Sequence, residues 1–106
     1  LVIQMSGNAK LHLAVAEVDG RVAGFIAYEF HENETGEVDF LAVHPDYQNQ
    51  GAGTELNLFA LQKLKEGGAR LAVVATGGDE SHAPARRSYE KVGYTALPLV
   101  RYYKTL

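Results

Sequence analysis

The segment EVDFLAVHPDYQNQGAGTELNLFALQKLKEGG constrains the fold most, because it changes from a strand pattern to a helical pattern across two glycines. Apolar residues around Phe40–Val43 predict a central strand that is covered on both faces. From residue 51 to residue 66 the apolar residues recur at helical spacing, and a Gly-Gly pair then predicts the end of the helix. Gly51 and Gly53 therefore fall in the first turn of a predicted helix, where bare backbone N–H groups can bind an anion.

The remaining pattern predicts a small α/β domain. KLHLAVAEV and RVAGFIAYEF lie on either side of an Asp-Gly pair, which predicts two strands joined by a hairpin turn. ARLAVVAT predicts a strand buried within a sheet, and Pro84 begins a second helical pattern that ends at Gly93. YTALPLVRYYKTL predicts one or two closing strands, broken at Pro98. The predicted order is β-β-β-α-β-α-β(-β). It describes an α/β (α+β) fold in which helices flank a mixed, mostly antiparallel central sheet, in one domain spanning residues 1–106.

Composition excludes several classes of function. Of the 106 residues 46% are apolar and 22% are charged, which is an ordinary globular balance, and the formal net charge of −3 gives no basic surface for nucleic acid. The absence of cysteine excludes disulfides, thiolate metal sites and a cysteine nucleophile. No apolar run approaches the roughly 18 residues that span a bilayer, and no signal peptide is visible, so we expect a cytoplasmic protein without a membrane partner. The four histidines are scattered without metal-ligand spacing, so we expect no metal.

The glycine-rich loop that ends at Thr54 admits more than one interpretation. A phosphate-binding P-loop needs a lysine before its final serine or threonine, and no lysine precedes Thr54. A dinucleotide-binding loop needs a third glycine where Leu56 stands, and strands of antiparallel type precede this loop. A tight turn without a ligand stays open, and so does an anion site made from backbone N–H groups.

Two motifs together resemble the GNAT superfamily of N-acetyltransferases. Gln-x-x-Gly-x-Gly between an apolar strand and an amphipathic helix is similar to the superfamily's acyl-CoA loop, and EVDFLAVHP is similar to its central strand. HAPARRSYEKVGY is similar to its Asn-x-x-Ala-x-x-x-Tyr-x-Lys-x-Gly-Phe pattern. The positions that match this second pattern are Ala85, Tyr89, Lys91, Gly93 and Tyr94. His82 stands where the superfamily usually has asparagine, so this contact to coenzyme A departs from the pattern.

The resemblance implies an enzyme that moves an acetyl group from acetyl-CoA to a primary amine by direct attack in a ternary complex, without a metal. The pyrophosphate would lie on backbone N–H groups of residues 50–54. The pantetheine arm would pair with the backbone of Leu41 and Val43, where an N–H group would also stabilise the oxyanion. The implied cofactor-binding residues are Leu41, Ala42, Val43, Gln48, Asn49, Gln50, Gly51, Ala52, Gly53, Thr54, His82, Ala85, Arg86 and Tyr89.

The same resemblance implies two catalytic roles. Glu37 occupies the position of the glutamate that serves as general base in histone-type acetyltransferases, and Asp39 faces the same side of the predicted strand. Tyr89 matches the tyrosine that protonates the leaving thiolate. Each residue has a structural alternative. Glu37 would otherwise be a solvated residue at the start of a strand, and Tyr89 would be a core-facing aromatic side chain.

The superfamily normally begins with a strand and two helices that form a wall of the acceptor pocket. This chain starts at Leu1 rather than at methionine, and only Leu1 to roughly Ala9 could belong to that region. We therefore expect the N-terminal strand and helices to be missing here, or the wall to be supplied by a partner, for example in a homodimer. The acceptor stays open between small-molecule and peptide amines. The alternative to an enzyme is a non-catalytic acyl-CoA-binding or regulatory module.

Overall fold

Five strands form one mixed sheet, and a helix packs on one of its faces. The structure, a computed structural model, describes residues 1–7 and 10–106, which divide into two units, residues 1–75 and residues 76–106. Asn8 and Ala9, at the end of the segment that the sequence places before the GNAT-like pattern, lie outside the described residues.

The first unit contains the whole sheet. Its elements are β1 (Val2–Gly7), β2 (His12–Val18), β3 (Arg21–His31), β4 (Thr35–Val43), α1 (Ala52–Glu66) and β5 (Leu71–Val74). Strands β1 to β4 are antiparallel neighbours in chain order, and β5 pairs in parallel with β4, so α1 makes the crossover that parallel strands require. The predicted hairpin between β2 and β3 is confirmed, with φ of 52° at Asp19 and 77° at Gly20.

Helix α1 covers one face of the sheet. Leu56, Ala60 and Leu64 follow one another at intervals of four residues, so they share one side of the helix, and all three are almost completely buried. They pack on side chains of the central strands, namely Ala14, Ala16, Ile26, Tyr28 and Val38. The predicted apolar face of the helix is therefore confirmed, and it fixes α1 against β2, β3 and β4.

Two expectations about strand burial are wrong. Phe40 on β4 is 63% exposed, because α1 covers only the opposite face of that strand. Strand β5 lies at the edge of the sheet rather than within it, and Leu71 is 59% exposed. An apolar run indicates that a segment favours a strand, but it does not reveal which neighbours that strand will have.

The two ends of the chain also differ from the prediction. Val2–Gly7 forms β1, paired antiparallel with β2, where the sequence suggests that the N-terminal strand is missing. Residues 94–106 form neither helix nor strand, although the sequence predicts one or two strands there. A strand forms only where its N–H and C=O groups find a neighbouring strand, and side-chain pattern does not supply that neighbour. Pro98 also has no N–H group to donate to a ladder.

The second unit contains a short 3-10 turn and one helix. Glu80–His82 form the turn, and α2 spans Ala83–Lys91 with Pro84 in its first turn. Gly93 follows the end of the helix with φ of 105°. The predicted second helix and its glycine stop are therefore confirmed.

Gly24 of β3 lies where the backbone of β4 passes closely. A Cβ at this position would lie 2.5 Å from the carbonyl oxygen of Ala42 and 3.2 Å from the Cα of Val43. We expect Gly24→Ala to lower the free energy of unfolding by about 1–3 kcal/mol, because backbone atoms of a paired strand cannot move aside without distorting the sheet. Urea denaturation followed by circular dichroism measures the loss. Gly78→Ala is the control, since its added methyl group meets no atom within 4 Å. Equal losses in the two variants would contradict the steric explanation.

Candidate active site

Helix α1 begins without a side-chain cap. Gly51 is the N-cap residue with φ of 89°, and a Cβ added there would meet no atom within 4 Å. The N–H of Glu55 donates to the carbonyl of Gly51 at 2.9 Å, so the N–H groups of Ala52, Gly53 and Thr54 precede the helical ladder. These N–H groups and the positive end of the helix dipole together favour an anion.

Side chains of the loop before α1 hold the backbone of that loop. Nε2 of Gln48 donates to the carbonyl of Val43 at 3.3 Å, and Nε2 of Gln50 donates to the carbonyl of Asp46 at 3.2 Å. Asn49 adopts a φ of 62° between them. The sequence predicts that Gln48 donates to a ligand. In the structure its amide bonds the end of β4, so this contact fixes the loop relative to the strand.

Beyond Val38, one edge of β4 has no neighbouring strand. The parallel ladder with β5 ends at the pair Val38 and Val74, whereas β4 continues to Val43. No other strand of the described part of the first unit lies on this side of β4, because β3 occupies the opposite edge. The second half of β4 therefore offers an open edge, which an extended ligand can join by backbone hydrogen bonds.

The alternation of backbone directions along β4 determines which N–H and C=O groups face this open edge. His44 N–H donates to the carbonyl of Ala23 at 2.7 Å, on the β3 side. Because successive residues direct their backbone groups to alternate edges, those of Leu41 and Val43 face the open edge. The edge runs to the start of α1, where a Cβ at Gly53 would lie 3.5 Å from Cγ2 of Val43.

Four titratable side chains meet on the sheet face opposite α1, and we call them the carboxylate–histidine cluster. Glu29 and His31 lie on β3, and Glu37 and Asp39 lie on β4. His31 Nε2 donates to Glu37 Oε1 at 2.7 Å, and Glu29 Oε1 lies 3.2 Å from the same nitrogen. The hydrogen bond to Glu37 raises the pKa of His31.

Asp39 differs from the other members of this cluster. The β3–β4 ladder pairs Val38 and Phe40 with consecutive residues of β3, which leaves Asp39 between them without a cross-strand partner. Its Oδ2 is buried and has no hydrogen-bond partner among the described residues. Burial and, after it, the neighbouring Glu29 raise the pKa of Asp39 to about 6.

The cluster also contains atoms of the kind that bind metal ions. His31 Nε2 and one carboxylate oxygen each from Glu29 and Glu37 lie within 4.8 Å of one another. Spacing along the sequence misses this group, because its members meet only when β3 pairs with β4. In this structure the three side chains form a hydrogen-bonded network, in which His31 Nε2 lies 2.7 Å from Glu37 and 3.2 Å from Glu29.

Two tyrosines pack together in the second unit. The rings of Tyr89 and Tyr94 lie edge to face, with centroids 5.7 Å apart and planes at 82°. Burial raises the pKa of Tyr89, and burial together with Tyr89 raises the pKa of Tyr94 to about 12. Both phenols therefore stay protonated at neutral pH, so each can donate a hydrogen bond.

The turn before α2 is closed by a polar network. Asp79 accepts hydrogen bonds from Ser81 Oγ and from His82 Nδ1, the latter at 2.7 Å, and these bonds lower the pKa of Asp79 to about 2. Arg86 donates to the carbonyls of Gly77 and Asp79 at 2.6 and 2.7 Å. His82 and Arg86, which the sequence assigns to cofactor binding, thus hold this turn together through one ring nitrogen and one guanidinium nitrogen.

The predicted site residues fall into two groups. The first unit brings together the end of β4, the loop and the start of α1, which hold Leu41, Ala42, Val43, Gln48, Asn49, Gln50, Gly51, Ala52, Gly53 and Thr54, and it places Glu37 on the same strand. The second unit holds His82, Ala85, Arg86 and Tyr89 on α2 and the turn before it. Sequence reasoning missed Glu29 and His31. Their alternation along β3 is the signal that could have indicated a polar patch on one face of the sheet.

Comparison with known proteins identifies an acetyltransferase family. The family model described as acetyltransferase (GNAT) family matches residues 3–94. A mycothiol acetyltransferase from Thermomonospora curvata is 41% identical over 83 residues, which cover 78% of this chain but 27% of the relative, so the chain spans little more than a quarter of that protein's length.

Solved structures give the same result. A crystal structure of a GNAT-family protein from Desulfovibrio desulfuricans matches with a TM-score of 0.78 and 30% identity, over 84% of this chain and 58% of that one. An aminoglycoside N-acetyltransferase in complex with CoA matches with a TM-score of 0.79 and 16% identity, over 93% of this chain and 78% of that one, which is a likeness of fold. Among the described residues, none of the helices has the length and apolar composition that crossing a membrane requires.

Proposed function

The chain belongs to the acetyltransferase (GNAT) family, and we propose that the protein containing it transfers an acetyl group from acetyl-CoA to a primary amine. The observation that carries this proposal is the open edge of β4, which runs directly to the uncapped start of α1. One end of this arrangement suits a pyrophosphate and the other suits an amide-containing chain. Coenzyme A contains a pyrophosphate followed by the amide-containing pantetheine arm.

The residues present fit such a ligand. The N–H groups of Ala52, Gly53 and Thr54 would hold the pyrophosphate, and the absence of a side chain at Gly51 lets the phosphates approach the backbone. The backbone groups of Leu41 would pair with the pantetheine amides. Acetyl-CoA supplies the activated acetyl group when it is bound.

Transfer requires one proton to be removed and another to be donated. An amine with a pKa of about 10 must lose a proton before it can attack. The carboxylate–histidine cluster, which includes the sequence-predicted base Glu37, supplies groups for proton removal as the C–N bond forms. As the C–S bond breaks, the phenol of Tyr89 would donate a proton to sulfur. The chain has no cysteine that could carry the acetyl group, so direct attack is proposed.

We propose a small-molecule amine as the acceptor. The relatives reported above are named for action on mycothiol and on aminoglycosides, and both names refer to small molecules. The three carboxylates of the cluster, Glu29, Glu37 and Asp39, would attract an ammonium group to this face of the sheet. A peptide amine is the competing acceptor class.

Release of free CoA tests the proposal on the full-length protein. A panel of aminoglycosides, polyamines, amino sugars, amino acids and short peptides is assayed with acetyl-CoA, and we expect amine-dependent release. A thermal-shift titration is run first, and bound acetyl-CoA should raise the melting temperature saturably. Binding without release by any amine would favour a non-catalytic acyl-CoA-binding module. No thermal shift at millimolar acetyl-CoA would contradict the cofactor assignment.

Gly51→Ala tests the pyrophosphate contact. At a φ of 89° an alanine is strained by about 1 kcal/mol, and relief of that strain turns the first N–H groups of α1 away from the ligand. We expect the Kd for acetyl-CoA to rise about tenfold or more, which corresponds to about 1.4 kcal/mol. Gly20→Ala is the matched control, because Gly20 also has positive φ and open space around its Cα. Calorimetric titration should show unchanged affinity in that control. A Gly51→Ala protein with wild-type affinity would contradict the assignment.

A further inference from the structure

We propose that Asp39, rather than Glu37, accepts the proton of the attacking amine. This inference rests on the proposed function and assigns its general base. It begins from the position of Asp39 on β4. Asp39 directly follows Val38, where the ladder with β5 ends, so Asp39 stands at the beginning of the open edge. Glu37 lies inside the paired region, opposite Val73.

A register shift distinguishes Asp39 from its neighbours. The β3–β4 ladder skips this residue, so the backbone of β4 bulges there, while the side chain stays beside Glu29 in the cluster. Bulges of this kind re-aim a side chain and are frequent beside active sites. The register shift therefore gives Asp39 a backbone position unlike that of its neighbours, at the point where β4 and β5 separate.

Glu37 is already engaged by another member of the cluster. Its Oε1 accepts a hydrogen bond of 2.7 Å from His31 Nε2, and Glu29 Oε1 lies 3.2 Å from the same nitrogen. The oxygen of Glu37 that lies nearest the imidazole is therefore already occupied by a hydrogen bond. Glu37 is better suited to holding His31 and setting the charge around Asp39 than to removing a proton.

Asp39 has the properties that a general base needs. Its Oδ2 is buried and accepts no hydrogen bond from the described residues, although the residue as a whole is only partly buried. Glu29 and Glu37 raise the pKa of Asp39 further after burial, His31 lowers it, and the result is about 6. A base is most effective when its pKa is close to the working pH. An ordinary aspartate has a pKa of about 4, which is too low for this at neutral pH.

The step balances in atoms and charge. The acceptor first loses one proton to solvent and attacks as a neutral amine. As its nitrogen forms the C–N bond, one N–H proton passes to the carboxylate of Asp39, and the C–S bond breaks. The departing sulfur takes a proton, from Tyr89 under the proposed function. Asp39 then loses its proton to solvent and the phenolate of Tyr89 regains one from solvent, so both groups return to their starting states.

Kinetics of Asp39→Asn and Glu37→Gln in the full-length protein test the inference, with the amine that the panel shows to be fastest. We expect Asp39→Asn to lower kcat at least 100-fold, within the usual range for loss of a general base of about 100 to 10,000-fold. Glu37→Gln should lower kcat less than tenfold and keep the acid limb of the pH–rate profile near pH 6. Both variants should bind acetyl-CoA with wild-type affinity. Glu32→Gln, an exposed carboxylate in the turn between β3 and β4, is the unchanged control.

The pH dependence of stability gives a readout that does not depend on activity. A carboxyl group whose pKa is raised in the folded protein contributes stability below its unfolded pKa of about 4, and this contribution is lost as the pH rises through about 6. The melting temperature of Asp39→Asn minus that of wild type should therefore be larger at pH 8 than at pH 4.

Three outcomes would overturn the inference. The first is an Asp39→Asn enzyme that keeps its kcat while Glu37→Gln loses 100-fold. The second is an Asp39→Asn protein whose stability follows pH as wild type does. The third is a wild-type protein that fails to release CoA with every amine of the panel. That result overturns the proposed function and this inference together.

Discussion

Replacement of Leu56 by alanine is expected to lower the free energy of unfolding by about 2–5 kcal/mol. Leu56 is completely buried and packs between α1 and the central strands. Truncation leaves a cavity that the sheet cannot close, because ladder hydrogen bonds fix the spacing of its strands. Urea denaturation of the full chain, followed by circular dichroism, measures the loss. Leu56 also anchors the first turns of α1, so the affinity for acetyl-CoA should fall in the same variant.

Leu58→Ala is the matched control for this change. Leu58 lies on the same helix and loses the same atoms, but it is 47% exposed. We expect its truncation to cost less than about 1 kcal/mol, because little apolar area returns to water and no cavity forms. Comparable losses in the two variants would mean that α1 does not pack on the sheet through the face that contains Leu56.

The elements that depend on local pattern could be predicted from the sequence. The helix predicted over residues 51–66 is observed as Ala52–Glu66 with Gly51 as its N-cap. The family match and the solved relatives confirm the predicted fold class. The interactions that determine such a helix lie within a few residues of one another, so residue spacing and glycine position are sufficient to predict it.

Features that depend on a distant partner could not be predicted in this way. The apolar tail after Tyr94 has the residues of a strand, but the structure shows none there, because pairing requires a neighbouring edge. The bulge at Asp39 is invisible in the sequence for the same reason. It exists only as a difference in register between β3 and β4, which arises when the two strands pair.

The site shows the same division between local and distant interactions. Gly51 and Gly53 indicate the proposed anion-binding start of α1 directly, since the absence of side chains there is a property of the sequence. The carboxylate–histidine cluster is not apparent, because His31 and Glu37 are separated by a turn and meet across two strands. The choice between Glu37 and Asp39 as base depends on that cross-strand contact. A motif match alone therefore selects Glu37, whereas the hydrogen bonds and burial favour Asp39.

Removal of the phenol oxygen of Tyr89 is expected to lower kcat about 100-fold and to leave KM for acetyl-CoA nearly unchanged. The expected pattern follows from the proposed role. Proton donation to sulfur matters when the C–S bond breaks and not when the cofactor binds, so the lost interaction belongs to the transition state. Burial raises the pKa of Tyr89, and the phenol therefore carries its proton across the pH range of the assay. Steady-state kinetics of Tyr89→Phe in the full-length protein measures the effect.

Tyr94→Phe is the control that separates chemistry from packing. Its ring contacts that of Tyr89 edge to face at 5.7 Å, and phenylalanine preserves this contact in either variant. The hydroxyl of Tyr94 is buried without a hydrogen-bond partner among the described residues, so its removal should leave kcat unchanged and stability equal or higher. A fall of kcat in both variants would indicate that the tyrosine pair shapes the helix rather than donating a proton. Wild-type kcat in Tyr89→Phe would remove Tyr89 from the reaction, because a phenylalanine at that position has no proton to give.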